Sequence, residues 1–127
     1  MALGWLTAAF MVAFWAAVFA GVAPVEDLVP GHRAWVFSFP IVDLWVGAWA
    51  ARMALEIRAH RLIAARQAAL VSGSGLVFLG LHELTYGFYT GLALHPRGGE
   101  LVEVAVQVYC LVVGALCMRW ALRVRDA

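Results

Sequence analysis

The sequence predicts an all-α integral membrane protein, a four-helix transmembrane bundle, and three observations predict it. Of its 127 residues, 65% are hydrophobic and 13% charged, with a mean hydropathy of +0.86. A soluble domain runs near about 45–50% apolar and about 25% charged. The apolar residues fall into four runs, each close to the roughly 20 residues that cross a bilayer. The arginines collect between runs two and three and after run four. Four crossings consume roughly 80 residues, so residues 1–127 read as a single transmembrane domain.

The first run, residues 2–23, holds no charged side chain and is closed by Pro24. A signal peptide would need a basic start and an apolar stretch of only about 7–15 residues. This run meets neither condition and reads as a retained helix. In residues 24–39, Pro24, Pro30 and Gly31 break the chain early, while Trp35, Phe37 and Phe39 suit an interfacial belt or a short cap over the bundle. The second span, 40–58, opens on Pro40, tolerated because the first helical N–H has no partner anyway. The third covers 68–92 and the fourth 101–122, joined by a turn at His95-Pro96-Arg97-Gly98-Gly99.

Arginine placement orients the spans. Arg58, Arg61 and Arg66 lie between spans two and three, and Arg119, Arg123 and Arg125 in the tail. The other two connections carry Arg33 and Arg97 beside Glu26, Asp27 and Glu100. The positive-inside bias then puts both termini in the cytoplasm, in the inner (plasma) membrane of the cell. The formal net charge is +1, all basic residues being arginine, so no global field points to nucleic acid.

Several chemistries are disfavoured at this stage. Cys110 and Cys117, seven apart on one helix, stand about 10 Å apart and too far for a disulfide. They read as small apolar fillers. Glu26, Asp27 and His32 match no metal spacing and read as a solvated turn. With His82 alone inside a span, bis-histidine haem ligation within one chain is excluded. No phosphate loop, nucleophile elbow or H-E-x-x-H occurs. Neither a metal nor a cofactor is expected.

The intramembrane polar residues carry the information, because ionisable groups in a bilayer are costly and mark functional sites. Asp43, Glu56, His82 and Glu83 fall inside spans, with Glu103 just within the outer end of span four. Arg52 and Glu56, i and i+4 near the inner end of span two, form a self-neutralising structural pair. The others come from three helices at overlapping heights in the outer half. His82, Tyr86 and Tyr89 follow i, i+4, i+7, and Gly80, Glu83, Gly87 and Gly91 form a neighbouring stripe. Asp43 continues into Gly47, Ala50 and Ala54, and Glu103 into Gln107, Cys110 and Gly114, small residues that admit a second helix. The pattern predicts a pocket toward the outer leaflet lined by Asp43, His82, Glu83, Tyr86, Glu103 and Gln107.

Two carboxyls, an imidazole and two phenols suffice for acid–base catalysis without a metal. Asp43, His82 and Glu83 are the expected catalytic groups, and Tyr86, Tyr89, Glu103, Gln107 and Trp45 the expected ligand contacts. Such a site suits a lipophilic small molecule arriving through the bilayer and a double-bond isomerisation, a cyclisation or an epoxide opening. Two other classes compete: an accessory subunit whose polar cluster contacts another membrane chain, and a proton-coupled transporter working as a homodimer.

Pro24-Val25-Glu26-Asp27 resembles the P-x-E-[ED] motif of the small membrane carotenoid cyclases. The likeness covers four residues, and Pro30 and Gly31-His32 follow where that family continues into an aromatic helix. It keeps isoprenoid cyclisation among the candidate reactions. The four-span layout with outer acids is also similar, by architecture alone, to sterol-isomerase-like membrane bundles.

Overall fold

A computed structural model describes residues 1–94 and 100–124, apart from the side chain of Glu100. The turn at His95–Gly99 with Arg97, and Arg125 in the tail, lie outside the described residues. Of the described residues 80% are helical, and none is in a strand. In order it forms α1 (Ala2–Phe19), α2 (His32–Val36), α3 (Pro40–Arg58), α4 (Leu62–Thr90) and α5 (Glu100–Arg123). Four segments are long and apolar enough to cross a membrane: α1, α2 with α3, α4, and α5 from Leu101. The protein is an all-α four-helix bundle of the membrane-spanning type.

Helix ends differ from the hydropathy boundaries for local reasons. α1 stops at Phe19 rather than residue 23, because Gly21 turns left-handed at φ 74°. Its N–H donates to the Val18 carbonyl, and that of Val22 to Ala17, at 3.1 and 2.9 Å, which closes the helix with a Schellman pattern. α4 starts at Leu62 rather than 68, since Arg66 and Gln67 end the apolar run but not the helix. A helix satisfies its own backbone in lipid and in water alike. At 29 residues, α4 is about 43 Å long and outruns a hydrocarbon core of about 30 Å. α3 coincides with the expected second span.

Consecutive long helices pack antiparallel, α1 on α3, α3 on α4 and α4 on α5. Small residues set the spacing. A Cβ at Gly114 would come within 2.7 Å of the Gly73 carbonyl oxygen, and one at Gly4 within 2.5 Å of the Ala50 oxygen, so these backbones touch. The core runs along the bundle through Met11, Trp15, Val46, Leu76, Leu79 and Cys110. No more than 39% of any apolar window is buried, and large side chains such as Phe19, Ile41, Phe78 and Leu122 face outward. An apolar exterior is what a lipid-facing bundle requires.

The packing gives the bundle two unlike ends. One carries the start of α1, the α3–α4 turn and the end of α5, with Arg58, Arg61, Arg66, Arg119 and Arg123. There the buried Glu56 lies 3.6 Å from Arg52, as its i, i+4 spacing predicts, and also accepts a hydrogen bond from Arg61 across the turn. At the opposite end α2 leads into α3 and runs beside α4, with Trp35 stacked on Tyr86 and Phe39 against His82.

Candidate functional site

A cavity of about 70 Å³ lies in the half of the bundle that carries α2, several times the space that one water needs. α1 contributes Phe10, Met11, Phe14 and Trp15; α3 Asp43; α4 Glu83, Tyr86 and Gly87; and α5 Glu103, Gln107 and Cys110. Trp35 and Val36 of α2, with Phe39 just beyond it, form part of the wall. Beside the cavity the hydroxyls of Thr7 and Tyr109 meet at 2.8 Å, and the rings of Phe10 and Tyr109 at 5.4 Å, tying α1 to α5.

The polar groups are not equally partnered. Asp43 is 7% exposed, and its Oδ2 accepts the indole N–H of Trp15 at 2.9 Å. Glu103, its side chain 37% exposed, has its Oε1 3.1 Å from His32 Nε2. Glu83 has no hydrogen bond among the described residues, while Asp43 and Glu103 act on it as like charges. Gln107 is 6% exposed, and its Oε1, like His32 Nδ1, has no partner among the described residues. Acceptors therefore outnumber donors on the cavity wall.

Five of the expected residues line this space: Asp43, Glu83, Tyr86, Glu103 and Gln107. Three do not. Trp45 is 51% exposed, and Tyr89 91%. His82 is also exposed, stacked on Phe78 with ring centroids 5.9 Å apart. The reason is angular. At 100° per residue, Tyr86 lies about 60° around α4 from Glu83, whereas His82 and Tyr89 lie about 100–120° away. The i, i+4, i+7 stripe is real, but the edge of the buried face runs through it. Trp45 is about 160° from Asp43 around α3 and meets Trp49 on the lipid side.

The histidine beside the cavity is His32, which pairs with Glu103 of its wall and, expected to be part of a solvated turn, is 1% exposed. It stacks on Tyr86 with centroids 5.7 Å apart, and Trp35 lies on Tyr86 at 3.8 Å and 7°. The sequence does hold a signal for this: His32, Trp35 and Phe39 are spaced i, i+3, i+7, one helical face directly before Pro40. Trp15 was also missed, since an aromatic in an apolar run has no mark of its own. Glu26 and Asp27, which carry the cyclase resemblance, are exposed and do not line the cavity. Asp27 instead accepts the Arg33 backbone N–H at 3.1 Å, anchoring the start of α2. No group of three or more potential metal ligands occurs among the described residues.

No protein family model, curated protein or solved structure matches this chain.

Proposed function

We propose that this protein holds a lipophilic small molecule in this cavity and performs acid–base chemistry on it, of the isomerase or cyclase type. The supporting observation is the convergence of Asp43, Glu83, Glu103 and Gln107, from three helices, on one cavity otherwise walled by aromatic and aliphatic side chains. Two carboxyls sharing a low-dielectric site ionise one at a time. The Trp15 N–H stabilises charge on Asp43, which suits it as the proton acceptor. Glu83 has like charges around it and no donor among the described residues, which suits it as the acid. Delivery of a proton to one carbon of the substrate by Glu83 and removal from another by Asp43 amounts to a double-bond shift. His82, outside the cavity, takes no part.

In this reading the arginine-rich end faces the cytoplasm, with both termini, and the cavity opens toward the outer leaflet of the plasma membrane. The test is extraction and mass spectrometry of protein purified in mild detergent. Wild type should retain a lipophilic compound that Val106→Trp, which fills the cavity, does not. With the retained compound as substrate, Asp43→Asn and Glu83→Gln should keep the helical fold and lose turnover. Identical extracts from wild type and Val106→Trp would overturn the reading.

One observation favours a second reading, an accessory subunit or homodimer. His82, Thr85 and Tyr89 are all exposed on one side of α4, where an imidazole turned to acyl chains is costly unless another helix covers it. Cross-linking through Thr85→Cys would trap that partner if it is a second copy.

A further inference from the structure

The cavity has a one-sided chemistry. Its polar wall is made of Asp43, Glu83, Glu103, Gln107 and Tyr86, and no arginine or histidine among the described residues lines it. Two of the donors near the acids are engaged, Trp15 with Asp43 and His32 Nε2 with Glu103, while the Tyr86 hydroxyl and His32 Nδ1 have no hydrogen bond among the described residues. The Glu83 carboxyl and the Gln107 carbonyl oxygen, the latter on a side chain more than nine-tenths buried, are without a donor among the described residues. Buried acceptors without partners are costly, and clustered like charges more so. The remaining wall presents aromatic rings, whose faces attract cations.

We infer that the ligand of this cavity is a lipophilic ammonium, an amine in its protonated form with an apolar body. Beside the ammonium Glu83 stands as the carboxylate, having given up the proton it holds as the acid, so the N–H groups donate to Glu83 and to the Gln107 carbonyl, the positive charge offsets the crowding of three acids, and the apolar body packs against Phe10, Phe14 and Trp35. A neutral alcohol supplies one donor and no charge. A carboxylate supplies neither and is repelled. The inference rests on the cavity being a ligand site, as proposed above, and adds the sign of the ligand's charge.

Three probes with one body and different heads separate the possibilities: phenylbutylamine, phenylbutanol and phenylbutyrate. Each is titrated onto the full-length protein in nanodiscs, and saturable binding is read from tryptophan fluorescence and saturation-transfer NMR, with empty nanodiscs as the blank. The amine should bind at least about tenfold more tightly than the alcohol, and the butyrate should show no saturable binding. Glu83→Gln should weaken the amine about tenfold and leave the alcohol unchanged, and Gln107→Leu should weaken both. Saturable binding of the alcohol as tight as that of the amine, or an amine affinity untouched by Glu83→Gln, would overturn the inference while the ligand site stands. No saturable binding by any probe would overturn both.

Discussion

Trp15 and Asp43 illustrate how much one hydrogen bond decides in a dry interior. Both are nearly inaccessible, at 3% and 7% exposure, so the carboxyl cannot replace the indole N–H with bulk water. Trp15→Phe keeps most of the ring and removes the donor. It should cost about 1–3 kcal/mol, the price of an unsatisfied buried acceptor, measured by denaturant unfolding in detergent. A second change, Asp43→Leu, removes the orphaned acceptor and should recover part of that loss. The identity of such residues is legible from the sequence: Asp43 and Glu83 stand out because a carboxyl in an apolar run is rare. Trp15 does not stand out, since its role depends on what lies opposite.

At the scale of elements, two helix contacts make sharp predictions. His60 sits at φ 57° in the α3–α4 turn, its N–H donating to Ile57 and that of Arg61 to Glu56. A side chain in this left-handed position costs about 1–2 kcal/mol, so His60→Gly should raise stability by about 1 kcal/mol in thermal melts. Gly114 and Gly73 bring α4 and α5 into backbone contact, and a Cβ at Gly114 would also meet Val77 N at 2.9 Å. Gly114→Ala must push the helices apart and should destabilise by about 1–3 kcal/mol, and by lifting α5 should also loosen the cavity. Spacing alone shows the small-residue faces of these helices, because glycine and alanine are readable one by one. It does not show which side of a stripe is buried, so Tyr86 turns inward while His82 and Tyr89, on nearly the same line, turn out. α2 was half legible: the turn breakers marked where the chain interrupts its helices, yet the sequence did not show that His32 would be buried against Glu103.

The whole molecule is polarised, with Arg58, Arg61, Arg66, Arg119 and Arg123 at one end and an acidic cavity toward the other. If the positive-inside bias sets the orientation, positions at the two ends differ in access from outside the cell. Both native cysteines are buried, so a surface cysteine can be labelled against a quiet background. Leu28→Cys, just before α2, should react with an impermeant maleimide on intact cells, and Ala59→Cys, at the arginine end, only after lysis. The reverse pattern would place the cavity on the cytoplasmic side.

Composition and run length by themselves determined that this chain is a four-span helical membrane protein and which ionisable groups its spans contain. These are local properties, settled by the cost of exposing polar backbone to lipid. Which face of each span looks inward was decided only by the tertiary structure. Acyl chains are as apolar as a protein core, so hydrophobicity does not distinguish the buried side of a spanning helix from the exposed one. Close backbone contacts such as Gly73 on Gly114, and single polar bonds such as Trp15 to Asp43, do that work. They exist only once the helices have met.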